Sequence, residues 1–127
     1  MAACTDAAPG ELSAKQKARL VERVEQRWQA QAAKDWDKAW EFTTPNYRSV
    51  FPKELYRNNF SFDVDWELTG VDVLNYDAQA AVASVAARVM SSPSRHRQSA
   101  SKLGTVPSVI REKWLLIDGE WWYSVRD

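Results

Sequence analysis

The chain has 127 residues, enough for one domain with a real core and too few for two. Lys plus Arg and Asp plus Glu stand at 17 each, so no overall field draws in nucleic acid. No apolar run approaches the roughly 18 residues needed to cross a bilayer, and a lone Cys excludes an internal disulfide framework or a Cys-rich metal site.

The chain opens Met1-Ala2-Ala3-Cys4 and continues through Thr5, Asp6 and Ala7 to Gly10. Small residues before a Cys, then a polar stretch, resemble the end of a bacterial lipoprotein signal and its tether, although no basic or apolar region precedes them. That resemblance implies a lipidated Cys4 and a flexible tether over residues 1–11, leaving a single domain over 12–127. Ser13-Ala14-Lys15-Gln16 fits a capping box. Leu20, Val21, Val24, Trp28, Gln31 and Ala32 then recur at helical spacing, which predicts an amphipathic helix from Ser13 to Ala33. Lys34-Asp35 breaks it, and Asp35 caps a shorter helix through Trp36, Ala39, Trp40 and Phe42. Pro45 stops that helix, a helical turn spans Asn46 to Phe51, and Pro52 opens another short helix through Tyr56 and Arg57.

From Phe60 the period becomes two: Phe62, Val64, Trp66 and Leu68 alternate with Asp63, Asp65 and Glu67. Gly70 marks a bulge, Val71 and Val73 resume the strand, and Asn75-Tyr76-Asp77 reads as a turn. Ala78 to Met90 reads as strand on its β-branched Val82, Val85 and Val89. A polar, basic loop from Ser91 to Lys102 follows. Two last strands, Val106–Ile117 and Glu120–Arg126, flank Asp118-Gly119, the signature of a two-residue type I′ hairpin turn. Leu115, Leu116 and Ile117 are apolar in succession, as are Trp121, Trp122 and Tyr123, so both faces of this hairpin are expected to be covered. The order predicts an α+β fold: N-terminal helices packed on one face of a curved, mostly antiparallel sheet of about four strands.

The long first helix, the segment Asp35-Trp36-Asp37-Lys38-Ala39-Trp40-Glu41-Phe42-Thr43-Thr44-Pro45-Asn46-Tyr47-Arg48, and the ending Glu112-Lys113-Trp114 with Asp118-Gly119-Glu120-Trp121-Trp122-Tyr123 resemble the nuclear-transport-factor-two-like, or SnoaL-like, superfamily. The resemblance runs from Leu12 to Arg126 and implies a cone-shaped α+β domain. It leaves function open, because that fold hosts enzymes, binders and assembly subunits.

Acid–base chemistry needs a titratable group held against a substrate with its pKa moved toward working pH. His96 is the one His and lies between Arg95 and Arg97 in the polar loop, where solvation is the plain reading. Asp63, Asp65 and Glu67 share a strand face opposite Val64, Trp66 and Leu68, so inward packing of the apolar face sends the acids to solvent. Same-face neighbours lie almost 7 Å apart along a strand, a poor start for a metal site. No catalytic residue, metal or cofactor is therefore assigned. Trp40, Tyr47, Arg48, Tyr56, Trp66 and Trp114 are ligand-cavity candidates, Arg48 for a carboxylate-bearing ligand; the plainer roles are core packing for the aromatics and, for Arg48, a structural hydrogen bond tying the helical segment to the sheet. Leu115, Ile117, Trp121, Trp122 and Tyr123 are interface candidates. The expectation is a non-catalytic, lipid-anchored domain on the bacterial periplasmic side, binding a protein partner or a second copy through the hairpin's outer sheet face. The alternatives are a cytoplasmic location, and a small-molecule binder or an isomerase-, dehydratase- or cyclase-like enzyme using the cone cavity.

Overall fold

The computed structural model describes residues 11–56, 64–93 and 105–125. Cys4, Asp63, His96 with its basic neighbours, and Arg126 lie outside these residues. Helix α1 (Ala14–Ala32) starts at Ser13, whose hydroxyl accepts from Gln16 N at 3.1 Å while the Gln16 side chain accepts from Ser13 N at 3.0 Å. The capping box is complete, so two backbone donors that a bare helix end leaves unpaired are satisfied. The helix ends in a Schellman motif: Lys34 takes φ 58°, and the N–H groups of Lys34 and Asp35 donate to Gln31 O and Ala30 O.

Asp35 caps α2 (Trp36–Glu41), and Thr44 caps α3 (Pro45–Val50), which has Pro45 in its first turn. Helix α4 (Lys53–Tyr56) is a single turn. Four strands follow, β1 (Val64–Asp77), β2 (Val82–Pro93), β3 (Val106–Ile117) and β4 (Glu120–Tyr123), in an open antiparallel sheet of order β1-β2-β3-β4. The fold is α+β, with the N-terminal helices against the sheet.

Period-two alternation decides which side chains meet the helices. Trp66, Leu68, Val71 and Val73 on β1, and Ala83, Val85, Ala87 and Val89 on β2, share the inward face. Trp114 and Leu116 on β3 and Trp121 on β4 complete it, against Leu20, Val24 and Trp28 of α1. Glu67 points to water, and Asp65, on the same outer phase, is held by Lys34 Nζ at 2.7 Å. Bulges fall between Leu68 and Gly70 and between Val73 and Asn75. An extra unpaired residue at each bends the strand and restores the inward phase.

Several boundaries differ from the sequence reading; β2 runs on to Pro93, through residues expected to open the polar loop. The first turn begins three residues later than expected: Asn75, Tyr76 and Asp77 pair with Ser84, Ala83 and Val82, and residues 78–81 make the turn. Tyr76 is kept in the strand by its edge-on contact with Trp121 (centroids 5.9 Å apart), and Asp77 Oδ1 accepts from Gln79 N and Ala80 N to close the turn. Long-range packing therefore outweighs the local turn preference of Asn and Asp. At the other end, β4 stops at Tyr123, where Ser124 N still donates to Lys113 O. The Asp118-Gly119 turn has φ 52° and 83°, the positive values a type I′ turn requires.

Candidate functional site

Two arginines one turn apart on α1 face the last hairpin. Arg27 is buried, and its Nη1 donates to Glu112 Oε2 at 2.9 Å. Glu112 sits in the inward phase of β3 and also accepts from Trp28 Nε1 (2.9 Å, Oε2) and Trp114 Nε1 (2.9 Å, Oε1). Arg27 further reaches Gln31 Oε1 at 3.3 Å, makes a side-chain hydrogen bond with Tyr56, and lies 3.6 Å from the Tyr123 ring centroid. Burial strips water from the Arg27 guanidinium and on its own lowers its pKa; Glu112, Tyr123 and Tyr56 together outweigh this and hold it above the ordinary value. The carboxylate is engaged by three donors, and this cluster ties helix to sheet.

Arg23 is placed differently. Its guanidinium carbon lies 4.5 Å from the Phe42 ring centroid and 4.8 Å from that of Trp122. Its Nε donates to Trp121 O at 3.0 Å, while the nearest carboxylate, Glu120, is 4.0 Å away. Nη2 is buried and has no acceptor among the described residues. Burial pushes the Arg23 pKa below its ordinary value; Glu120 opposes that, and the positive charges of Arg19 and Arg48 reinforce it.

Arg48, from α3, approaches the same Trp122 ring at 4.8 Å and the Trp40 ring at 5.9 Å. Its Nε donates to Thr43 O at 3.0 Å. The link between α2 and α3 is itself fastened to the sheet edge. Tyr123 N donates to Phe42 O at 2.7 Å, and Thr43 forms a parallel bridge with Tyr123. Together Arg23, Lys38, Trp40, Phe42, Arg48 and Trp122, with Gln26 and Glu41, wall a groove of about 600 Å³.

The sequence-predicted residues divide among several places. Trp40, Arg48 and Trp122 meet in this groove. Tyr47 and Tyr56 pack edge to face at 6.2 Å in a second small cluster with Ala30 and Ala39. Trp66 tilts against Trp28 at 5.8 Å in a cleft of about 400 Å³ on the other flank of α1, rimmed by Glu25 and Glu67. Trp114 and Trp121 are buried in the core, and Tyr123 packs against Trp114 at 5.6 Å. On the hairpin's outer face Leu115, Ile117 and Trp122 are half-buried, with Leu115 between Val82 and Trp122 across the strands. The chain's own cations thus cover part of a ribbon expected to need a second cover.

Sequence reasoning missed Arg23, Arg27 and Glu112 as site residues. The readable signal was phase: both arginines share the stripe of Leu20 and Val24, and Glu112 falls in the apolar phase of β3. Among the described residues no group of three or more His, Cys, Asp or Glu side chains stands ready for a metal ion, and no helix is long and apolar enough to cross a membrane.

The architecture defines an α+β domain in which four short or long helices pack on an open antiparallel meander. No family model matches the chain, and no curated protein matches it. Among solved structures it is similar to a SEC-C motif containing protein from Rhodopseudomonas palustris, at 18% identity over 81% of this chain and 73% of that one, with a TM-score of 0.48. The kinship with the nuclear-transport-factor-two-like, SnoaL-like superfamily expected above is withdrawn, since no family model places the chain in that superfamily.

Proposed function

We propose that this is a non-catalytic interaction domain that docks a protein partner through the C-terminal hairpin and the groove beside it. The observation that carries the reading is Trp122, an indole on the outward face of β4 flanked by two guanidiniums at the mouth of a groove. Trp and Arg dominate the energetics of protein interfaces, and a rigid aromatic anchor loses little entropy on docking. A second support is negative in kind: the buried carboxylate of Glu112 is engaged by Arg27, Trp28 and Trp114, an arrangement suited to holding the fold rather than to moving a proton. Lipidation at Cys4, if the precursor carries a signal, adds a membrane tether on the periplasmic side.

Affinity purification from the native cell with wild type and Trp122→Asp tests the reading. One stoichiometric protein partner retained by wild type and lost by a folded Trp122→Asp supports it. A monomer by light scattering with no stoichiometric partner overturns it, and a dimer broken by the same variant replaces the partner with a second copy. Palmitate-analogue labelling of the precursor and its Cys4→Ser variant decides the tether separately.

A further inference from the structure

We infer that the groove between Arg23, Lys38 and Arg48 is an anion-anchoring subsite that takes a carboxylate side chain from an acidic segment of the partner. This rests on the partner-docking reading and names the chemistry the partner must present. Three cations and one carboxylate, Glu41, wall the groove, so its local field is positive although the whole chain is neutral.

The two guanidiniums are held still. Each commits its Nε to a backbone carbonyl, Trp121 O for Arg23 and Thr43 O for Arg48, and each lies 4.8 Å from the centroid of one indole. A guanidinium stacked on a ring keeps its in-plane N–H groups for hydrogen bonding, in a fork that matches a carboxylate. No ion pair within 4.0 Å is formed by Arg48 among the described residues, and Arg23 has only the marginal contact with Glu120. Two like charges lie against one indole and repel each other, and one of them carries a buried donor without an acceptor. An incoming carboxylate relieves the repulsion, and Trp40 and Phe42 offer flat apolar walls to the residues beside it.

The same surface disfavours a polyanion such as nucleic acid. Glu41 stands in the wall, and Glu22 and Glu120 act on Arg23 by their charge, so a long phosphate backbone meets repulsion where one or two carboxylates do not.

The test uses the full chain labelled for NMR, titrated with blocked oligoglutamate, with oligolysine, inorganic phosphate and oligothymidine as controls. Oligoglutamate is expected to shift the Trp122 indole N–H and the Arg23 and Arg48 Nε–H signals. Binding should weaken about tenfold in Arg48→Met, less in Arg48→Lys, and sharply when salt rises to about 0.5 M. Unmoved Trp122 signals, unchanged binding by Arg48→Met, or equal shifts with phosphate or oligothymidine each overturn the subsite. If a partner lost with Trp122→Asp is still held by Arg48→Met in excess oligoglutamate, the subsite fails and the docking reading stands. If oligoglutamate binds here and no partner exists, the subsite stands alone.

Discussion

Arg23 and Arg27 are four residues apart on one helix, face the same hairpin, and are both withdrawn from water, yet their surroundings differ. Arg27 meets a carboxylate at 2.9 Å, a glutamine, a tyrosine and the face of Tyr123. Arg23 meets two aromatic rings, a backbone carbonyl, and a carboxylate no nearer than 4.0 Å. A buried charge with its counter-charge is a fastening inside the fold. Each arginine keeps one buried N–H without an acceptor among the described residues, Nε in Arg27 and Nη2 in Arg23, so the difference is the counter-charge. A charge stacked on aromatics and backed by a second cation lacks a close one, which suits capture of an anion from outside.

The strongest way to break this comparison is Glu112→Ala. It leaves the Arg27 guanidinium buried without a counter-charge and two indole N–H groups without an acceptor. The expected loss is about 3–5 kcal/mol, read from urea midpoints, a large share of a total near 5–15 kcal/mol. The double variant Arg27→Met with Glu112→Leu removes both charges and should recover part of that loss. It should not recover all of it, because Trp28 Nε1 and Trp114 Nε1 still lack an acceptor at about 1–3 kcal/mol each. A double variant as stable as wild type would mean that the indole hydrogen bonds contribute nothing to the fastening.

Arg23→Met sharpens the contrast from the other side. It gives up cation–π contacts with Phe42 and Trp122, each about 0.5–1 kcal/mol, and removes the buried unpaired Nη2. These effects oppose each other, so denaturation should report a net change within about 1 kcal/mol. A cost equal to that of Glu112→Ala would show Arg23 to be a structural fastening as well.

The local parts of this fold were legible because local chemistry makes them. Ser13 and Gln16 write their capping box in adjacent residues, and Asp118-Gly119 carries its own positive φ. Thr44-Pro45 reads in the sequence as the end of α2, whereas Thr44 also caps α3 and Pro45 begins it. What stayed hidden depends on distance along the chain. Arg27 and Glu112 are 85 positions apart, and no short window shows that two charges in apolar phases answer one another. The misplaced turn has the same origin, since Tyr76 is claimed for β1 by Trp121 from the far end of the sheet. The groove was half-legible: Trp40, Arg48 and Trp122 could be named separately, and Arg23 hid inside a helical stripe that reads as core.

The smallest expected effect concerns the carboxylate that neighbours Arg23. Glu120 accepts from Arg19 Nη2 at 2.6 Å and Nε at 3.0 Å, and this bidentate hydrogen bond holds its pKa below the ordinary 4.5; partial burial opposes the shift, and the Trp121 N–H adds to it. A carboxyl depressed by folding binds its proton more tightly in the unfolded chain. Its contribution is therefore present above about pH 4.5 and is lost as pH falls through the lower folded value. Both partners keep substantial contact with water, so the contribution is under about 1 kcal/mol. Glu120→Gln should lower stability slightly at neutral pH and converge with wild type on the acid side, which paired urea titrations between neutral and strongly acid pH would read. Because the variant also removes the nearest negative charge from Arg23, it should tighten oligoglutamate binding while weakening the fold. Tighter binding at unchanged affinity for phosphate would place Glu120 as the charge that keeps Arg23 from being filled internally. No change in binding would mean that 4.0 Å already puts Glu120 outside the groove's electrostatics.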